Sequence, residues 1–189
     1  SSHCVAKSVK SGPKTLHICY CHTPMRYIWD QFDQYFCRIN SGLIPWAIMK
    51  ILRPWLQRWD AKTSCRVDSF IANSRHVQNR IRKYYHKQAT VIHPPVDTKR
   101  FKKSGKNKSN YFLIVSAFAP YKRVDLAVEA FNKLGYPFVI VGEGQNADSL
   151  RRMAKPNIRF EGWLDDSSID EHYDRCRAFV FCGEEDFGI

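Results

Sequence analysis

Tyr111-Phe112-Leu113-Ile114-Val115, then Pro120-Tyr121-Lys122-Arg123-Val124-Asp125-Leu126-Ala127-Val128-Glu129-Ala130-Phe131, then Phe138-Val139-Ile140-Val141 is the stretch that decides the fold. Its first and last segments are unbroken apolar runs rich in β-branched side chains, the pattern of parallel strands covered on both faces. The middle segment opens on proline, and Val124, Ala127, Val128 and Phe131 recur at i, i+3, i+4 and i+7 along one helical face. Residues 157–160 and 178–182 read as two further strands, the second of them buried. Between them a helix turns Ile169, Tyr173 and Cys176 inward, with Asp165, Asp166, Ser167 and Ser168 available as caps. Repeated strand–helix alternation implies an α/β architecture with a parallel, doubly wound sheet, whose ligands bind at the carboxyl edge. Glu184-Glu185-Asp186-Phe187-Gly188-Ile189 follows the last strand, so Glu185 is expected at that edge.

Upstream the same grammar recurs. Residues 15–20 read as a strand ending in Cys21-His22-Thr23-Pro24, where proline stops a central strand and leaves His22 at its end. Val67-Asp68-Ser69-Phe70-Ile71-Ala72 is a second strand. Asn73-Ser74 then offers caps for a helix with Val77, Ile81, Tyr84 and Tyr85 inward and Arg75, Arg80, Arg82 and Lys83 on the opposite face. Residues 89–92 make a third strand, broken by Pro94-Pro95. Between these halves, residues 98–110 carry Lys99, Arg100, Lys102, Lys103, Lys106 and Lys108 among serines and glycine, a solvated linker by composition. The expected organisation is one domain over residues 1–97, a basic linker over 98–110 and a second domain over 111–189.

The 189 residues are 44% hydrophobic and 14% aromatic, which supports packed cores and excludes a mostly disordered chain. Thirty Lys plus Arg against 18 Asp plus Glu give a net charge of +12, attractive to phosphorylated ligands, anionic membranes or polyanions alike. The basic residues are scattered over several elements, with no aromatic stacking platform or recognition helix, so no nucleic-acid partner is expected. The odd set of seven cysteines, Cys4, Cys19, Cys21, Cys37, Cys65, Cys176 and Cys182, has mostly apolar neighbours, as buried reduced thiols of a cytoplasmic protein do. His17-Ile18-Cys19-Tyr20-Cys21-His22 resembles a zinc cluster in composition only. Strand alternation separates His22 from His17, Cys19 and Cys21, and no second ligand pair follows, so no metal is expected. Residues 1–14 lack an apolar signal segment, and no stretch is long enough to span a bilayer. The segment 43–59 mixes apolar residues with Arg53, Trp55, Arg58 and Trp59, which suits either a helix packed inside a domain or a peripheral membrane surface.

Chemistry concentrates where strands end. Lys122, just past Pro120, is expected in a helix's first turn, where free N–H groups and the positive dipole end favour a phosphate beside its ammonium. Gly142-Glu143-Gly144 lacks the full G-x-G-x-x-G dinucleotide fingerprint and reads as a tight strand-to-helix turn requiring positive φ. Gly162-Trp163 either offers backbone to a nucleobase or covers the end of the sheet.

Four segments in order, Ile71-Ala72-Asn73-Ser74-Arg75-His76-Val77, Val91-Ile92-His93-Pro94-Pro95-Val96-Asp97, the run from Pro120 to Phe131, and Glu184 to Ile189, resemble the retaining nucleotide-sugar-dependent glycosyltransferases of family 4, group 1. The resemblance covers nearly the whole chain and points to mannosyltransferase-like members. It implies two Rossmann-like domains of GT-B type, both incomplete here. Roughly 80 or more residues are expected before Ser1 and a matching tail after Ile189, with the chain alone inactive. By resemblance, Glu185 is the first glutamate of a pair seven residues apart that orients the donor sugar, the second lying beyond Ile189. Lys122 matches the diphosphate-binding lysine. The companion arginine after the preceding strand is replaced by Ala117, next to Ser116, so Arg123 is the local candidate to compensate. His22 resembles the histidine facing the donor sugar. Phe187 and Gly188 match positions whose amides contact the diphosphate, and Gly162 and Trp163 line the nucleobase region.

The activity implied is transfer of a hexosyl group, mannosyl by preference, from a nucleoside-diphosphate sugar to an acceptor hydroxyl with retention. His22 and Glu185 act on the sugar, while Ser116, Lys122, Arg123, Gly162, Trp163, Phe187 and Gly188 bind the donor. The donor is a substrate, GDP-mannose being favoured, and no cofactor is expected. The acceptor is expected to be a carbohydrate or lipid-linked glycan, in polysaccharide or glycolipid biosynthesis at the inner face of a membrane. The alternative is a noncatalytic α/β protein that binds nucleotide sugar or nucleic acid.

Overall fold

A computed structural model of the chain describes residues 4–36, 42–100 and 108–187. Gly188, Cys37 and the central lysines of the basic segment lie outside the described residues. The chain divides into two compact units, one formed by residues 1–95 with 185–189, the other by residues 96–184.

In the first unit, β1 (Ile18–Cys21), β2 (Ser69–Ala72) and β3 (Ala89–Val91) form a parallel sheet in that order. The first strand starts three residues later than its composition suggests. Leu16 is exposed, and the His17 carbonyl accepts from the Asp68 amide at 3.0 Å, a long-range contact just before the β1–β2 ladder begins. Alternation holds from there: His17, Cys19 and Cys21 are buried and Ile18 is exposed. The buried side packs on α3 (Arg75–Tyr85) through Val77, Ile81 and Tyr85. Ser74 caps that helix, its hydroxyl accepting from the Val77 amide at 3.1 Å. Before α3 come a short helix, α1 (Phe32–Tyr35), and a long one, α2 (Leu43–Thr63), with Pro54 inside it.

One expectation fails in α3. Arg80 is buried, not solvated, because it stands three residues after Val77 and four before Tyr84, on the shoulder of the apolar stripe. Of the cysteines, Cys19, Cys21 and Cys176 are buried free thiols, whereas Cys65 is exposed at the end of α2.

The second unit contains β4 (Phe112–Val115), α4 (Val124–Leu134), β5 (Phe138–Val141), α5 (Ala147–Met153), β6 (Ile158–Gly162), α6 (Asp166–Arg175) and β7 (Ala178–Phe179). Its four strands are parallel in the order β6-β5-β4-β7. Side-chain alternation in β4 and β5 sorts the core into two layers. Ile114, Phe138 and Ile140 meet α4 and α5 through Val128, Phe131 and Leu150, while Leu113, Val139 and Val141 meet Cys176, Ile169 and Tyr173. Helices therefore cover both faces, as unbroken apolar strands require; each large side chain so buried contributes about 1.5–3 kcal/mol relative to exposure. The last strand differs from its expected burial. β7 lies at the sheet edge with one neighbour, and Phe179 and Phe181 are exposed.

Candidate functional site

In the second unit the chain steps outward from β4 to β5 and β6, then returns to the far side of β4 for β7. Neighbours whose connections depart in opposite directions leave a crevice at their carboxyl ends, the position where open α/β sheets bind ligands. The loops at this point are residues 116–122 after β4 and residues 180–184 after β7. They touch: a Cβ on Gly183 would lie 3.4 Å from the Lys122 Cα.

The loop after β4 is fixed by its neighbour after β5. Ser116 donates its amide to Val141 at 3.0 Å, Phe118 to the Glu143 carbonyl at 2.8 Å, and Asn146 closes on the Phe118 carbonyl at 3.1 Å. Phe118 is buried and Ser116 half-buried, with the Ser116 hydroxyl donating to the Ala117 carbonyl. Gly142 and Gly144 take φ of 131° and 152°, which only glycine adopts readily, and this brings the two loops into backbone contact. The tight-turn reading of Gly142-Glu143-Gly144 thus describes the local structure.

Lys122 is not in the first turn of an α-helix. Pro120–Lys122 is a single 3₁₀ turn, Arg123 follows in the left-handed region at φ 51°, and α4 starts only at Val124. The proline opens the turn and the left-handed residue ends it, so the free donors of α4 belong to the following turn. Lys122 is half-buried, its ammonium 5.4 Å from the Tyr121 ring centre. The Arg123 guanidinium forks onto Asp125, with Nε at 3.1 Å and a terminal nitrogen at 2.9 Å. That hydrogen bond raises the Arg123 pKa further. Arg123 therefore serves its own helix start in this conformation, and Ala117 leaves the loop without a second cation.

Gly162 and Trp163 lie two strands away, at the end of β6. A register shift between Ile140 and Val141 sets Gly162 opposite Val141, and the Gly142 amide donates to the Gly162 carbonyl at 2.8 Å. Trp163 is 74% exposed, so it does not cover the sheet.

Glu185 was expected at the end of the last strand, but β7 stops at Phe179, and Glu185 and Phe187 group with His22 in the first unit. There β1 and β2 lead directly into His22 and Asn73, and β3 leads through Ile92 into His93. His22 is exposed, its ring edge-on to Tyr20 at 5.4 Å, and its carbonyl accepts from the Asn73 amide nitrogen at 3.2 Å. His93 Nδ1 is 2.8 Å from the Asn73 carbonyl, and its ring stacks on Phe187 at 5.5 Å. Asp186 is the buried centre of this edge. Its carboxylate meets Arg80 at 2.7 Å and Arg26 at 3.3 Å, and its carbonyl accepts from the Ser74 hydroxyl at 2.6 Å. Arg26 also reaches Glu185 at 3.6 Å, and Arg80 reaches Asp30 at 2.6 Å. Arg26, Arg80, His93 and Asp186 carried no assigned role in the sequence. Arg80 stands on the shoulder of an apolar helical stripe, and its carboxylate partners lie far from it in sequence.

Among the described residues no group of three or more His, Cys, Asp or Glu is placed to hold a metal ion.

Comparison with known proteins gives these two units their setting. Residues 96–189 match the family described as glycosyl transferases group 1, and residues 2–100 match glycosyltransferase family 4. Over 161 residues the chain is 29% identical to O-antigen chain mannosyltransferase C of Escherichia coli, covering 75% of this chain and 42% of the relative. Over 105 residues it is 27% identical to an uncharacterized glycosyltransferase of Methanocaldococcus jannaschii, covering 55% and 29%. The chain thus spans less than half the length of these relatives. Among solved structures, pneumococcal O-GlcNAc transferase GtfA in complex with UDP and GlcNAc superposes with a TM-score of 0.53 at 23% identity, over 69% of this chain and 28% of that one. TarM superposes with a TM-score of 0.55 at 15% identity, over 67% and 27%. These likenesses establish a shared α/β fold of GT-B type. The match over residues 2–100 takes in more than half of the sequence, and the chain belongs to glycosyltransferase family 4.

Proposed function

We propose that the protein to which this chain belongs transfers a hexosyl group, mannosyl by preference, from a nucleoside-diphosphate sugar to an acceptor hydroxyl with retention at the anomeric carbon. The observation that carries the reading is Lys122 at the switch point between β4 and β7, on a loop held by backbone hydrogen bonds. A departing nucleoside diphosphate gains negative charge as the glycosidic bond breaks. An ammonium about 4 Å away contributes about 4 kcal/mol of Coulomb attraction at an effective dielectric of 20, and it is in place before reaction. Ser116 supplies a polar group beside Lys122, and Gly162 with Trp163 receives the base. His22 and Glu185 hold the sugar. The leaving phosphate accepts the acceptor proton on the face it vacates.

The mannosyl preference is supported by likeness to an O-antigen chain mannosyltransferase, with GDP-mannose as donor and a glycan under construction, free or lipid-linked, as acceptor. The reaction is assigned to the cytoplasmic side, where nucleotide sugars are supplied. A uridine-linked donor is the competing reading, since the GtfA structure holds UDP and GlcNAc.

The test uses the full-length protein and its Lys122→Ala variant. Thermal shift against GDP-mannose, UDP-glucose and UDP-GlcNAc identifies the donor by the largest rise in Tm. Transfer of that sugar is then expected to fall by 10² to 10³ in kcat/KM for the variant, the loss seen when one preorganised charge-stabilising group is removed, as ~2.7–4 kcal/mol corresponds to. Transfer at the parental rate by Lys122→Ala overturns the assignment.

A further inference from the structure

The long helix α2 is built inside out. Its row Arg53, Gln57, Asp60 and Ser64, spaced i, i+4, i+7 and i+11, faces the protein. Arg53 donates to the Ile28 and Trp29 carbonyls at 2.8 Å, and Gln57 donates to the Ile28 carbonyl at 2.7 Å. Asp60 is fully buried and accepts from Trp29 and Tyr85, each at 2.8 Å, beside the Lys7 ammonium at 2.7 Å. The opposite row points to solvent and is apolar: Ile44 is 73% exposed, Ile48 51%, Ile51 78% and Trp55 73%. At 1.5 Å per residue this row runs for about 16 Å, and Trp59 extends it by one turn. A solvated helix places its polar residues on the outer row, so burial in this unit does not account for the pattern.

The charges select the occupant. Asp60 is the one acid in α2, and it is buried against Lys7, while Arg58 and Lys62 are exposed cations beside the apolar row. A second copy of the chain would bring the same cations and no carboxylate to meet them. Anionic lipid headgroups supply the missing negative charge. Indole rings sit at the boundary between headgroups and acyl chains, and lysine and arginine stems reach from there to phosphate. No described helix is long and apolar enough to cross a membrane, so α2 would lie in the surface plane. We infer that the outer face of α2 is a docking surface for an anionic lipid bilayer, with Ile44, Ile48, Ile51 and Trp55 immersed and Arg58 and Lys62 at the headgroups. This inference is independent of the donor sugar and of the transfer reaction.

The experiment takes the full-length protein with vesicles of phosphatidylcholine, alone or with one third phosphatidylglycerol. Co-sedimentation and tryptophan quenching by brominated lipids are the readouts. Binding to the anionic vesicles, weakened by added salt, with quenching of indole emission, is expected. Arg58→Gln with Lys62→Gln should lower the partition coefficient by about 30-fold, as roughly 1 kcal/mol for each basic residue near the surface implies. Ile48→Ser with Ile51→Ser should lower it by more than about tenfold and abolish quenching. These side chains are exposed, so the variants should keep the parental Tm, and a variant that does not is replaced by Ile44→Ser. Absence of binding to anionic vesicles overturns the inference, as does binding that the isoleucine variants leave unchanged. Self-association of the parent in sedimentation, lost in the isoleucine variants without any vesicle binding, would assign the face to a second copy instead.

Discussion

Replacing Gly142 with alanine tests how the loop carrying Ser116 and Phe118 is held, and Gly135→Ala is its natural control. Both glycines have positive φ, 131° and 72°, so alanine is strained at either. A Cβ on Gly135 meets nothing within 4 Å, so that variant should lose only the left-handed penalty, about 1–2 kcal/mol. A Cβ on Gly142 would lie 2.0 Å from the Ser116 carbonyl oxygen. Reaching an ordinary contact means moving that carbonyl by more than an ångström. The movement shears the bonds from Ser116 to Val141 and from Gly142 to Gly162, now 3.0 and 2.8 Å. Two weakened hydrogen bonds at about 1 kcal/mol each, added to about 1–3 kcal/mol of backbone strain, give roughly 3–5 kcal/mol. Hydrogen exchange of the β5 amides through a urea series reads the second unit separately, which matters because a chain of two units need not unfold in one step. Gly142→Ala is expected to lower opening free energies there by at least about 1 kcal/mol more than Gly135→Ala. Equal effects of the two variants would refute the close approach of these loops.

Two further predictions concern the buried Lys7–Asp60 pair. Asp60→Ala leaves the Lys7 ammonium uncompensated at 3% exposure, and denaturant titration should show a loss of about 3–5 kcal/mol, much of it recovered when Lys7→Met is added. Burial, the largest cause, and the nearby Asp60 carboxylate raise the Tyr85 pKa well above its ordinary value of 10.0. A raised folded-state value means that the unfolded chain releases the phenol proton first. The contribution is therefore complete below about pH 10 and declines as pH rises further. Unfolding free energy measured from pH 8 to pH 11 should fall more steeply for the parent than for Tyr85→Phe, and parallel curves would show that Tyr85 is not the group responsible.

The second unit was readable because its strands are covered on both faces. Apolar continuity in Phe138–Val141 and helical spacing from Val124 to Phe131 each have one structural meaning, and the structure places them as read. What local pattern did not reveal depends on partners distant in sequence. Arg80 looks like a solvated cation until Asp30 and Asp186, 50 and 106 positions away, are set beside it. The helix start at Val124 escaped because proline is equally at home in a 3₁₀ turn, and nothing in Tyr121-Lys122-Arg123 signals a left-handed arginine. The apolar run ending in β7 suggested burial, yet hydropathy does not say how many neighbours a strand has. Of the candidate residues, His22 directly follows β1 as read, whereas Lys122 lies in a 3₁₀ turn well beyond β4 and Glu185 groups with the first unit; the Arg26, Arg80 and Asp186 cluster belongs to three-dimensional proximity alone.

Two separate sheets also mean four outer rims, along β1, β3, β6 and β7 among the described residues. On the β7 rim the exposed Phe179 would make an encounter with any extended segment that drifts alongside adhesive. The opposing influence is the surplus of twelve positive charges, which keeps molecules apart by mutual repulsion. The colloidal behaviour of this polypeptide thus rests on its ionic atmosphere, and dissolved electrolyte, by screening that repulsion, tilts it from dispersed toward clumped.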